Sequence, residues 1–494
     1  MYRICGFISS IFCNIFSIIG GLLCKKFLYN SPIKTRKVLC CAVRTLIYGG
    51  HLIDPANRVD AHLNILIENG RVASVTEDMP NADERIDATG KVVCPGFIDI
   101  HMHEDPIENG RIYADTERSI FHCMLRMGVT TALGGNCGDN CCDPADYLDI
   151  VDQNGAAVNV GMLAGHTYFR RRAGVMDRYS PATAAQRELI NAGIDRALMR
   201  GCLGVSYGMR YSPGTNREEI IAAARPCCGS GKMIAAHIRS DAQEVFAAGR
   251  EILDVGVELG IPVQLSHIGS MAGFGQMESF LRMIDRYRMN GLDVSCDCYP
   301  YDAFSTSIGS ATYDDGWMDR YGCSYDAVEL CEGKYKGQRC TEAIFNEVRS
   351  AHPECLTVCY VMREDDVDRA FAHPNVMLAS DGILSHGQGH PRAAGAFPRF
   401  LSQYARRGTL SLYDAISRMT AMPAARLGLT SKGCLRVGAD ADAVIFDPDS
   451  IMDCADFQHP VCAPTGIDRV LIGGVTAVEK GRIVQNDLGR SIRK

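Results

Sequence analysis

From residue 45 onward the chain alternates short apolar runs with polar turns, and that alternation predicts its elements. The runs at 45–50, 63–70 and 71–75 are rich in Leu, Ile and Val, and Asn69-Gly70 between the last two is a hairpin signal. The next run, Val93-Cys94-Pro95-Gly96-Phe97-Ile98-Asp99-Ile100-His101-Met102-His103, leaves a Pro-Gly turn and reads as a buried strand ending in two histidines. Further β runs follow at 128–135, 158–166, 202–206, 233–237, 262–267, 293–297 and 376–381. Amphipathic stretches such as 181–199, 242–259 and 276–289 lie between them. Eight strand–helix units predict an α/β chain built on a TIM-like (β/α)8 barrel. β runs return at 441–447 and 470–474, so the two chain ends are expected to pair into one small β-sandwich. The expected division is a hydrophobic extension over 1–40, an N-terminal sandwich segment over 41–96, the barrel over 97–428 and a C-terminal sandwich segment over 429–494. Between the seventh and eighth strands, about 303–352 reads as an insertion over the catalytic face, in the position of a lid.

Composition narrows the class. A hydrophobic content of 47% over 494 residues supplies ample core, and the net charge of -7, with no long basic run past the N-terminus, argues against a nucleic-acid partner. The 23 cysteines are scattered through expected core strands, which suits reduced thiols in a cytoplasmic enzyme better than a secreted disulfide scaffold. The run from Ile4 to Cys24, followed by Lys25 and Lys26, has three readings. It is a membrane anchor holding the enzyme in the cytoplasm, an uncleaved signal-like segment, or sequence upstream of the natural start. Membrane contact is expected only in the first case.

Candidate chemistry gathers at the strand ends. His101 and His103 sit two apart on a strand and therefore share a face, where two imidazoles can grip one metal ion or simply cap a core strand. Cys137 follows the second strand, His237 ends the fifth, His267 the sixth and Asp381 the eighth. Barrel active sites assemble at C-terminal strand ends, and a random scatter of 13 histidines would seldom fall there. Imidazole and thiolate suit Zn2+, which lowers the pKa of bound water to about 7. Asp381 is placed to take the water's proton and pass it to a departing amine, its alternative being a helix N-cap.

These segments resemble the amidohydrolase superfamily, specifically its D-aminoacylase (N-acyl-D-amino-acid deacylase) family. The likeness runs through Gly135-Asn136-Cys137-Gly138, Ala236-His237-Ile238-Arg239, Leu265-Ser266-His267, Tyr299-Pro300-Tyr301, Ala379-Ser380-Asp381-Gly382 and His390-Pro391-Arg392 to Gly438-Ala439-Asp440-Ala441-Asp442. It implies a tight zinc on Cys137, His237 and His267, and a second, weaker site completed by His101, His103 and Asp381, with Asp381 as general acid/base. Arg392 would pair with the substrate carboxylate, and Tyr299 would hydrogen-bond the carbonyl oxygen. Arg239 would orient neighbouring groups or form an ordinary ion pair. The implied substrate is a small N-acyl-D-amino acid, hydrolysed to a carboxylate and a D-amino acid. The alternatives are a cyclic amide hydrolase of the dihydroorotase or hydantoinase kind and a non-catalytic scaffold of the same fold. One departure stands out: many relatives carry lysine two residues beyond the sixth-strand histidine, where this chain has Gly269.

Overall fold

The computed structural model describes residues 43–115 and 117–494, so the apolar run Ile4 to Cys24 lies outside the described residues. Among the described residues no helix is long and apolar enough to cross a membrane. The Asn69-Gly70 signal is borne out: Asn64–Glu68 and Arg71–Thr76 pair antiparallel across it, with φ of 52° at Asn69 and 76° at Gly70. Both residues thus take the left-handed conformation that a tight primed turn requires.

At the Pro95-Gly96 turn the chain passes from one sheet to another. Val92–Pro95 belongs to a seven-stranded sheet, pairing parallel with His51–Asp54 and antiparallel with Ala443–Phe446. Phe97–Asp99 belongs instead to a parallel sheet beside Val129–Gly134. The switch happens at Gly96 because a Cβ there would sit 2.1 Å from the Thr130 hydroxyl, so only glycine allows the chain to cross that closely.

Eight parallel strand positions then succeed one another. Phe97–Asp99 neighbours Val129–Gly134, which neighbours Asn159–Met162, whose continuation Ala164–Gly165 pairs with Gly204–Gly208. Met233–His237, Val263–Leu265, Val294–Cys298 and Val376–Leu378 follow in order. The last meets the first: Asp381 N donates to His101 O at 2.8 Å and His103 N to Gly382 O at 2.9 Å. Helices lie between successive strands. The helix Ala184–Met199 starts on a capping box at Thr183 and Gln186, three residues later than the periodicity suggests because Pro181 precedes the cap. Leu412–Met419 and Ala421–Leu427 are separate helices, parted at Thr420 (φ -134°).

The stretch expected as an insertion forms a three-stranded sheet of Phe304–Ser307, Leu356–Cys359 and Val328–Leu330, so it reaches beyond residue 352. At the chain ends, one apolar cluster takes Ile47, Ile65 and Ile86 from a four-stranded sheet and Leu52, Val93, Ile445 and Leu471 from the seven-stranded one.

Candidate metal centre

The loop Gly134-Gly135-Asn136-Cys137-Gly138 is fixed from several sides. Glu104 accepts from Gly135 N at 2.8 Å and from Cys141 N at 3.1 Å. Asn136 donates to Leu133 O at 2.8 Å, and Gly138 N donates to Ser206 Oγ at 3.1 Å. Opposite, Gly208 leaves room for the loop, since a Cβ there would lie 1.9 Å from Cys137 O. The loop thereby holds the Cys137 thiol in a buried position.

Around that sulfur the ligand candidates converge. Cys137 Sγ lies 3.4 Å from His101 Nε2, 3.3 Å from His267 Nε2 and 3.8 Å from His237 Nδ1. Asp381 Oδ1 lies 3.3 Å from both His101 Nε2 and His103 Nε2. Two groups can hold a metal, one of His101, His103, Cys137 and Asp381 and one of Cys137, His237 and His267, each with ligand atoms within 4.8 Å of one another. Cys137 belongs to both. Ser270 Oγ meets His267 Nδ1 at 3.1 Å, which leaves Nε2 as the coordinating nitrogen. Asp297 braces two ligands, accepting from His267 N at 2.7 Å with the same oxygen that lies 3.2 Å from His101 Nδ1.

Backbone strain marks the same residues. Cys137, His267 and Asp381 have φ of 53°, 32° and 48°, each in a region that costs a non-glycine residue on the order of 1–3 kcal/mol. All three are buried just past a strand end. Strain of this kind persists where surrounding structure dictates side-chain direction, and here the directions coincide.

Electrostatics oppose burial. Burial by itself would raise both acids. The His101 and His267 imidazoles nevertheless hold the Cys137 thiol well below its usual range. Arg392, then His267 and His101, do the same for Asp381. His101 moves the other way: burial disfavours its charge, but Cys137, Asp297 and Asp381 raise it well above the ordinary value. A thiolate and a carboxylate among imidazoles form a donor set that fits a borderline-soft divalent cation, so these residues suit the metal the sequence suggests.

Arg392 is 1% exposed, with Nη2 2.9 Å from Asp381 Oδ2 and its guanidinium 4.5 Å above the Tyr299 ring. Its Nε and Nη1 are buried without a protein acceptor among the described residues, and the side chain lines a cavity of about 470 Å³ shared with His103, Cys137 and Asp381. Tyr299 is itself fully buried, its hydroxyl 3.8 Å from Met362 Sδ. The tyrosine facing the ligands is Tyr211, which lines the cavity and stacks edge-on to His237 at 4.6 Å. Sequence reasoning missed it, because it lies three residues past a strand end among 19 tyrosines. Arg239 forks onto Glu251 at 2.8 and 2.7 Å and donates to Pro213 O and Thr215 O, a structural ion pair. At Gly269 a Cβ would fall 2.9 Å from Cys298 Sγ and 3.2 Å from Met362 Cε, so any side chain there requires both neighbours to shift.

The described fold and this constellation have close parallels. The chain is 32% identical over 493 residues to D-aminoacylase of Alcaligenes xylosoxydans xylosoxydans, covering 91% of this chain and 97% of that protein. It is 31% identical to N-acyl-D-glutamate deacylase of the same organism, covering 90% and 96%. The crystal structure of N-acyl-D-glutamate deacylase from Bordetella bronchiseptica, complexed with zinc and a phosphonate mimic of the tetrahedral intermediate, superposes with a TM-score of 0.82. That alignment has 29% identity and covers 92% of this chain and 100% of that one. A model of the amidohydrolase family matches residues 149–478. With the strand-end cysteine and histidines converging as they do, the chain belongs to the amidohydrolase family, in its D-aminoacylase branch.

Proposed function

We propose that this protein is a zinc-dependent hydrolase of N-acyl-D-amino acids, with its eight parallel strands closed as a (β/α)8 barrel and a β-sandwich built from both chain ends. The reading rests above all on one observation: six side chains from five strand ends, Cys137 among them, converge on one spot, three of them held in strained backbone to do so. The hydrogen bonds joining the last parallel strand position to the first support the closed barrel.

Cys137, His237 and His267 would hold the tighter ion, and His101, His103 and Asp381 would complete a second position around the shared sulfur. When bound, the cation supplies Lewis acidity, making water acidic enough to ionise near neutral pH and polarising the amide carbonyl. Asp381 takes the proton that water loses as its oxygen adds to the carbonyl carbon. It then returns that proton to the amide nitrogen as the C–N bond breaks, yielding a carboxylate and a free amine. Tyr211 is a phenol donor facing the reacting carbonyl as negative charge builds on its oxygen. Arg392, buried on the cavity wall with one nitrogen on Asp381, would pair with the α-carboxylate by a charge-assisted contact. Tyr299 contributes beneath it, its ring carrying the guanidinium.

The test is a hydrolysis screen of N-acetyl-D- and L-amino acids with zinc-loaded protein, alongside Asp381→Ala and Cys137→Ala. Release of D-amino acid by the wild type, lost in both variants, is the expected result. Equal turnover by all three proteins would defeat the assignment, and a preference for hydantoin or dihydroorotate would promote a cyclic amide hydrolase.

A further inference from the structure

Similarity of 32% and 31% to a D-aminoacylase and an N-acyl-D-glutamate deacylase does not separate neutral from acidic substrates. The cavity wall does. Besides Arg392 at its deep end, the cavity is lined by Arg170, Arg171 and Arg178. Arg170 is buried on Glu219, and Arg171 pairs with Asp139. Arg178 has no carboxylate in ion-pair range among the described residues; its one hydrogen bond runs from Nη1 to Gly309 O, at 3.2 Å. An arginine has five N–H donors, so most of this guanidinium's capacity remains open.

Its backbone is fixed beforehand, and its side chain is exposed. Arg178 O accepts from Gly214 N at 2.9 Å, and the Tyr179 hydroxyl next to it donates to Asp314 at 2.6 Å. Gly214 packs so closely that a Cβ would lie 2.5 Å from Ser180 O. The neighbouring Asp177 makes no direct ion pair with Arg178 and acts on it only through space, its carboxylate accepting from Ser180 Oγ and Tyr179 N. Glu354, the remaining acid on this wall, is largely exposed and lies 3.5 Å from His352.

Resting on the amide-hydrolase reading above, we infer that Arg178 reads a second acidic group on the substrate. On this reading Arg392 takes the α-carboxylate beside the scissile amide, and Arg178, elsewhere on the same wall, takes a second, distal carboxylate. That distal acid rides either on the amino-acid side chain or on the acyl group, and both present the same chemistry to a guanidinium.

The experiment measures kcat/KM of the zinc-loaded enzyme for N-acetyl-D-glutamate, its neutral isostere N-acetyl-D-glutamine, and N-succinyl-D-alanine beside N-butyryl-D-alanine. The wild type should favour the diacid of one pair about tenfold, the effect of a charge-assisted contact at a half-open site. The favoured pair identifies where the acid rides. Arg178→Gln should erase that preference through KM, and Arg178→Lys should restore some of it. Arg171→Gln, whose guanidinium already faces Asp139, should keep the preference. Equal rates on acid and neutral isostere, or an Arg178→Gln loss shared equally by both, would overturn the inference while leaving the hydrolase reading intact. No turnover of any of the four substrates would remove both.

Discussion

At the scale of single residues, the centre is ordered by how each side chain leaves its strand. Tyr211 sits past Gly208, its ring 4.6 Å from that of His237, and its phenol O–H can donate to an oxygen lone pair on the substrate. Replacing it with phenylalanine keeps the ring packing and removes the donor. Tyr211→Phe should therefore lower kcat by roughly 10²- to 10³-fold, as loss of one oxyanion donor does, with metal content unchanged by elemental analysis. An unchanged kcat would reduce Tyr211 to packing. Arg392→Gln should raise KM by removing a substrate contact, and should also lower kcat and move its acidic limit to higher pH, because Asp381 loses the guanidinium that holds its carboxyl down. The two tyrosines show what the sequence could and could not tell. Both Tyr211 and Tyr299 follow barrel-type strands, but only three-dimensional placement reveals that Tyr299 lies beneath Arg392 while Tyr211 faces the ligands. The six metal-ligand candidates were legible because each follows an apolar run, a signal that survives without knowledge of strand order.

Elements fix how well those residues are held. The loop bearing Cys137 depends on Glu104, whose two oxygens accept from Gly135 N and Cys141 N on either side of the thiol. Glu104→Ala would leave every ligand in place but release both backbone anchors. Groups that orient metal ligands typically contribute 10- to 100-fold to metal affinity. The variant should weaken zinc binding by that order in competition with a chromogenic chelator, and excess zinc should recover most of the turnover. Affinity equal to wild type would mean the loop keeps its shape through Asn136 and Gly138 alone. Nothing in the sequence announces Glu104, since a glutamate after His-x-His reads as ordinary solvated charge. The sheet change in the 93–103 run falls at the Pro95-Gly96 turn visible in the sequence, but the reason glycine is needed there, the crossing of Thr130, is visible only in three dimensions.

For the molecule as a whole, the chain ends do more than share the seven-stranded sheet. Alternating β character near residues 45–75 and 441–474 foretold their association, but Ser491–Ile492 is too short to carry any periodic signal. It nonetheless lies parallel to Val160 and Gly161 at the start of a strand whose far end leads toward the cavity. Around it, Val160 N donates to Arg490 O, Ala156 and Gly489 exchange two hydrogen bonds, and Lys494 N donates to Gly201 O. Lys232 adds a buried ammonium bonded to Lys494 O and Cys202 O. Removing residues 489–494 would leave these backbone groups without their partners and the ammonium with only Cys202 O. At about 1 kcal/mol net for each backbone bond, with more for the buried charge, the loss is on the order of 5 kcal/mol. The truncated protein should melt at least several degrees lower in a thermal scan. Its zinc-loaded activity well below that temperature should persist, because Cys137, His237 and His267 lie at the opposite ends of the parallel strands. An unchanged melting temperature would mean that Ser491–Ile492 contributes nothing to the parallel sheet. Lost activity with intact melting would mean instead that the strand end and the metal centre are coupled.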